Sequence, residues 1–410
     1  MRSLAVTLSL VLLLILVVPH DTLNLTPVQE LSFRHHYNLV AWEVTNLPAK
    51  WLHWLRNAVF PFRHESGQRL EAVTDYFRLE QEARALREEL ERAVAMTSAD
   101  ASDVERRLES LRRQTEDLRP QIEETLEAAI SDVLRKKDIP FSAGRFVFPP
   151  VDFALDRLPT LLVISPRDRI ERKEDILLVP QIPVQAREAL EEQITRQEDL
   201  SALVTGLGGI STYPSIISGG DLRSALITAN HEWLHQYLFF RPLGQSYGRD
   251  ADMASINETT ANIFGEELGN LAFTHLTGEA APVAPPSAPE PCPQDQFCFN
   301  REMHQTRLHV DQLLAEGKVE EAEAYMERRR QVFVKHGHYI RKLNQAYFAF
   351  HGTYADSPTS VSPIHEQLQE VRQASASLGT FIHTVAGISS YEEFTTLLHE
   401  LQGGQSSTPP

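Results

Sequence analysis

The sequence predicts an α+β fold that is mostly helical, with a small mixed sheet and a pair of packed helices behind an N-terminal apolar segment and a helical hairpin. Three observations lead there. Apolar residues recur at helical period through the long charged stretches 65–137 and 183–200. Runs rich in β-branched residues are confined to 144–218. An uncharged apolar run, Leu4 to Val18, follows Met1-Arg2-Ser3.

That first run is close to the lower length limit for a membrane span, about 17 residues, and also suits a signal-peptide core. Pro19-His20-Asp21-Thr22 offers no small-x-small cleavage site, which favours an uncleaved signal anchor over residues 1–20. Either reading sends the remainder across the membrane, so the expected location is membrane-anchored and extracytoplasmic, or secreted if the segment is cleaved. Residues 21–64 form a juxtamembrane segment in which Trp42, Trp51, Trp54, Tyr37, Phe60 and Phe62 are interleaved with Lys50, Arg56 and Arg63. Such a mixture suits either a lipid interface or packing on the domain that follows.

Residues 65–138 alternate Leu70, Val73, Phe77, Leu79, Leu86, Leu90 and Val94 with Glu and Arg, break at Thr97 to Ser102, and resume with Val104, Leu108, Leu111, Leu118, Ile122 and Leu126. This pattern predicts an antiparallel hairpin or short coiled coil, usable as a stalk, a lid or a route to a homo-oligomer.

Pro159 to Ser165 and Asp175 to Pro180 read as strands, with Gly144 to Phe148 a third. Pro183 to Leu200 is an amphipathic helix, and Ala202 to Gly206 is apolar and bounded by glycine. Gly208 to Ser218 contains Pro214 and so reads either as an edge strand, open to pairing with an extended peptide, or as a plain β-hairpin with no substrate role. Asp221 then caps a helix of about 20 residues whose apolar positions are Leu222, Leu226, Ala229, Trp233, Tyr237 and Phe240, stopped by Pro242 and Gly244.

This helix carries His231-Glu232-Trp233-Leu234-His235. Histidines four apart share a helix face, and neutral imidazoles so placed can bind Zn²⁺ at about 2.0–2.1 Å. The intervening Glu232 can take a proton from a water at the metal. A catalytic zinc ordinarily has three protein ligands. The third candidate is Glu258, 23 positions after His235, in a second helical pattern from Ser255 to Gly269.

Asn257-Glu258 followed by Asn262-Ile263-Phe264-Gly265 resembles the third-ligand helix of thermolysin-like gluzincin metallopeptidases, over roughly residues 200–270. The His235-Gln236 pair with the later Asn-Glu is also similar to predicted bacterial membrane-associated aminopeptidases. The resemblance implies a zincin-like domain over 139–402, with His231, His235 and Glu258 as zinc ligands, Glu232 as general base, and Asn262 orienting a ligand histidine where the family has an acidic residue. It also implies a downstream His or Tyr that donates to the oxyanion. In Asn344 to Asp356 the candidates are His351 and Tyr354, with Tyr347 behind, after a charged helix from Val319 to Lys342 and a solvated bend at His336-Gly337-His338.

The 410 residues carry a net charge of −17, which disfavours nucleic acid as a partner. Two cysteines, Cys292 and Cys298, can close a local disulfide after translocation. They end a Pro- and Ala-rich insertion, 278–293, and residues 403–410 read as a disordered tail. Together these features lead to the expectation of a membrane-anchored zinc metallopeptidase acting on a peptide or protein substrate. The alternatives are a tethered helical scaffold with a structural or degenerate metal site, and a zinc hydrolase of non-peptide bonds.

Overall fold

The computed structural model describes residues 25–46, 66–95, 101–137, 139, 147–282, 293 and 296–405. The apolar run 4–18, Trp51, Trp54, Phe60, Phe62, Gly144 to Phe146, Cys292 and residues 406–410 lie outside the described residues. Among the described residues no helix is long and apolar enough to cross a membrane.

The fold is predominantly helical with two small sheets. In chain order the elements that matter are α1 (Pro27–Ser32), α2 (Ser66–Ala95), α3 (Ala101–Lys136), β1 (Phe153–Leu155), β2 (Thr160–Pro166), β3 (Glu174–Leu178), α4 (Val184–Glu198), β4 (Leu200–Gly206), β5 (Gly209–Ile210), β6 (Ser215–Ile217), α5 (Leu222–Phe239), α6 (Pro242–Gln245), α7 (Ala251–Thr277), α8 (Phe299–Ala315), α9 (Val319–Lys335), α10 (Gln345–His351), α11 (Ile364–Ala374), α12 (Leu378–Ala386) and α13 (Tyr391–Gln405).

The strands divide into two sheets rather than the one expected. In the first, β2 is central and antiparallel to both β3 and β4. Its near-continuous apolar sequence follows from burial on both faces. Leu162 and Ile164 face α4 through Leu190 and Ile194, while Leu161 and Val163 face α10 through Ala346 and Phe350. The second sheet has the order β1-β6-β5, with β1 parallel and β5 antiparallel to β6. The segment 208–218 is thus the hairpin of the two readings, two short antiparallel strands joined by a loop through Pro214, of which β5 is at the sheet edge. Val147 and Phe148 are not in a strand, whereas β1 and β4 are strands that sequence patterning did not resolve.

Side chains and short segments finish three of the four sheet edges. On α3, Glu123 and Glu127, one turn apart, accept from the amides of Leu155 and Phe153 at 2.8 and 3.1 Å, covering β1. On β4, the Val204 amide donates to Glu191, its carbonyl accepts from Arg341, and the Ala202 carbonyl accepts from Asn344. On β3, Tyr37 donates to the Leu177 carbonyl and Val179 to that of His35, so residues 35–37 pack on the domain.

The helical hairpin forms as expected, and its base enters the main core. Val73, Tyr76, Phe77, Ile122, Leu126 and Ile130 join Trp233, Phe264, Phe381 and Phe394 in one buried cluster. Three departures from the sequence reading concern helix ends. The charged helix α9 stops at Lys335, not Lys342, because Gly337 takes a φ of 86° in the bend that follows. Helix α7 runs from Ala251 to Thr277, well beyond Ser255–Gly269. Helix α13 continues through Gln405, so the first three residues of the expected tail are helical. Cys298 is disulfide-bonded, and the sequence offers Cys292 as its partner.

Candidate metal centre

The site is built by two helices in unusually close contact. Asp221 caps α5 by accepting from the Ser224 amide at 3.0 Å, and Asp250 caps α7 by accepting from Met253 at 2.8 Å. On α7, Gly265 and Gly269 face α5. A Cβ on Gly269 would lie 2.7–2.8 Å from Ile227, and one on Gly265 would lie 2.9 Å from the Ile227 carbonyl and 3.1 Å from the His231 Cβ. Two glycines one turn apart therefore let the backbones approach, and that approach brings Glu258 to the histidines.

The three expected ligand side chains converge. His231 Nε2 and His235 Nε2 are 3.0 Å apart, and Glu258 Oε2 is 3.4 and 3.5 Å from them. Donors bound tetrahedrally at 2.0–2.1 Å would be separated by about 3.3–3.4 Å, so the triangle fits one cation. Glu258 Oε2 is buried and makes no hydrogen bond, while Oε1 accepts from the Tyr247 hydroxyl at 2.8 Å. Such an orphaned anion between two imidazole nitrogens is the arrangement a metal ion satisfies. The group could hold a metal ion.

His235 Nδ1 lies 2.8 Å from Asn257 Oδ1. An amide oxygen only accepts, so Nδ1 carries a proton and Nε2 is the ring nitrogen turned to His231 and Glu258, the one that would be free to bind a metal ion. This corrects the role expected of Asn262. Its amide nitrogen donates to Asp356 at 3.0–3.1 Å, and Asn257 holds the candidate ligand His235 instead.

Comparison with protein-family models, curated proteins and solved structures yields no match. The reading of the site therefore rests on its geometry and its electrostatics.

Glu232 is buried beside β5. Gly209 is the reason it fits, because a Cβ there would fall on the Glu232 side chain and on Thr228. Burial pushes the Glu232 carboxyl up, against the pull of His231 and His235. Burial acts to lower the His235 imidazole, but the Glu258 carboxylate outweighs it and raises it to about 9. The same histidines hold Glu258 well below the usual carboxylate range despite its burial. Without a metal, positive charge is thus already favoured between these groups.

A cleft of about 830 Å³ opens over them, lined by Gly209 to Tyr213 from the β5 side and by Leu161, Leu177, Phe239, Phe240 and Phe350. Tyr354 lines it; its loop is tied to α7 by the Ala355 amide donating to Thr259, next to Glu258. His351 does not line it. Its ring packs 4.3 Å from Tyr347 and 5.0 Å from Phe350, and burial lowers it to about 4. Two cleft residues have no sequence periodicity to reveal them: Tyr247, in the connection between the two ligand helices, and Arg172, just before β3. Burial and the Glu258 charge hold the Tyr247 and Tyr354 hydroxyls in their protonated, donating form.

Proposed function

We propose that the protein is a zinc-dependent peptidase of the gluzincin kind. The observation that carries this reading is the triangle His231, His235 and Glu258 with an orphaned carboxylate oxygen, set beside a buried glutamate. Two imidazoles and one carboxylate suit zinc among the common metals. Zinc held there supplies Lewis acidity and makes water a nucleophile near neutral pH.

The chain's own groups do the rest. Asn257 fixes the His235 tautomer. Glu232, its affinity for protons raised by burial, takes a proton from the attacking water and passes it to the leaving amine. Tyr247 and Tyr354 are donors on the cleft wall, suited to the oxyanion of a tetrahedral intermediate. The outer edge of β5, beside Glu232, aligns an extended peptide by strand pairing. The apolar run 4–18 anchors the chain, and the site faces an extracytoplasmic compartment, in keeping with a disulfide at Cys298.

The test is metal analysis joined to a peptide-library digest, using the full chain in detergent. One zinc per chain is expected, lost in His231→Ala and retained in Glu232→Gln, with hydrolysis abolished in both. Absence of zinc, or a Glu232→Gln protein that cleaves at the wild-type rate, removes the reading.

A further inference from the structure

Among the described residues lining the cleft, Arg172 is the sole lysine or arginine. Its Nε donates to Asp175 Oδ2 at 2.6 Å, and its guanidinium lies over the Phe350 ring, 5.4 Å from the centroid. Nη1 and Nη2 have no hydrogen-bond or ion-pair partner among the described residues. The side chain is only 27% exposed, and Leu161, Leu177 and Phe350 line the same wall.

This is a guanidinium held in place with its business end free. Asp175 and Phe350 fix its plane from one edge and one face. The end-on fork of two parallel N–H groups is left to the cleft. A fork of that shape matches the two oxygens of a carboxylate, whereas a peptide carbonyl uses only half of it. Apolar walls reduce competition from water and strengthen the pairing. Arg172 lines the same cleft as Glu258, Tyr247 and Tyr354, and β5 runs beside Glu232 in it. A peptide that passes the metal site along β5 can therefore reach the guanidinium.

We propose that the unpaired fork of Arg172 binds a carboxylate of the peptide substrate, so that the cleft selects its substrate by charge as well as by apolar side chains. The carboxylate comes from the peptide's own C-terminus or from an acidic side chain. The proposal rests on the peptidase reading, and the experiment separates the two.

Three forms of one apolar hexapeptide are compared with the full chain: free C-terminus, C-terminal amide, and a set of amides with Glu at each position in turn. The plain amide is expected to lose about 10- to 100-fold in kcat/KM, mostly in KM, relative to the best carboxylate peptide. A preference for the free C-terminus marks an enzyme working at chain ends; a preference for one Glu position marks a side-chain subsite. In Arg172→Met the difference collapses. Arg172→Lys, which keeps the charge without the fork, recovers only part of it. Hydrolysis with no discrimination in the wild type overturns the carboxylate site and leaves the peptidase reading intact.

If no peptide is cleaved, the same peptides carrying fluorescein are bound to zinc-loaded Glu232→Gln and read by anisotropy. Tighter binding of a carboxylate form, lost on adding Arg172→Met, keeps the site and removes the peptidase reading. Equal binding, or none, removes the site as well.

Discussion

His235 donates from Nδ1 to the Asn257 side-chain oxygen at 2.8 Å, so the residue preceding one candidate ligand orients another. Replacing Asn257 with alanine leaves the imidazole free to rotate and to change tautomer. Zinc affinity should fall about 10- to 100-fold, as when such outer partners are removed elsewhere. Competition with a fluorescent chelator measures it, and Asn257→Asp, which keeps an acceptor oxygen, should recover most of the loss. An alanine variant with wild-type affinity would show that packing alone orients the ring.

Gly209 makes room for the Glu232 carboxylate. Gly209→Ala should push that group from its place and lower kcat about 10-fold or more, since small displacements of a catalytic group are costly. The three ligands are untouched, so zinc content should stay at the wild-type level. Parallel loss of zinc would mean that β5 supports the whole site.

Gly269 governs the spacing of the two ligand helices. A methyl group there meets the Ile227 backbone, which cannot move aside as a flexible side chain can. Gly269→Ala should destabilise the protein by about 1–3 kcal/mol, even though alanine favours helix, and should weaken zinc binding by moving Glu258. Urea denaturation with and without chelator separates the two effects.

His351 should make the protein acid-sensitive. Its ring is half-buried in an aromatic cluster, with its proton affinity lowered to about 4 from the ordinary 6.5. Between these values the unfolded chain binds the proton more readily, so stability falls as pH falls. The contribution is complete above about pH 6.5, and roughly 2–3 kcal/mol of it should be gone near pH 4.5. In His351→Phe the slope over that window should shrink by up to one proton, as read from denaturation midpoints at several pH values. An unchanged slope would place the acid sensitivity elsewhere.

The candidate ligand set was legible in the sequence because each part of it is local and periodic. Four-residue spacing aligns His231 with His235, and a second helical pattern carries Glu258. The hairpin was legible for the same reason, with apolar stripes long enough to outweigh their charge. What escaped depends on partners far away in the chain. Asn262, one turn from Glu258, donates to Asp356, 94 positions on, and four-residue spacing alone cannot foresee that partner. His351 and Tyr354 are three residues apart and chemically interchangeable as donors, yet packing sends one into an aromatic cluster and the other to the cleft. Arg172 and Tyr247 come from connecting segments that have no period.

The treatment of the sheet edges bears on how copies of this chain behave towards each other. An uncovered strand edge invites pairing with any extended chain, including another copy. Here β1, β3 and β4 are each finished by carboxylates, amides or a short segment of the same chain. Among the described residues only the two residues of β5 are left, too short to template a ribbon and placed at the cleft. Under the proposed peptidase reading, the one open edge is the edge a substrate strand would use, and the finished edges are those at which copies of the chain would otherwise pair.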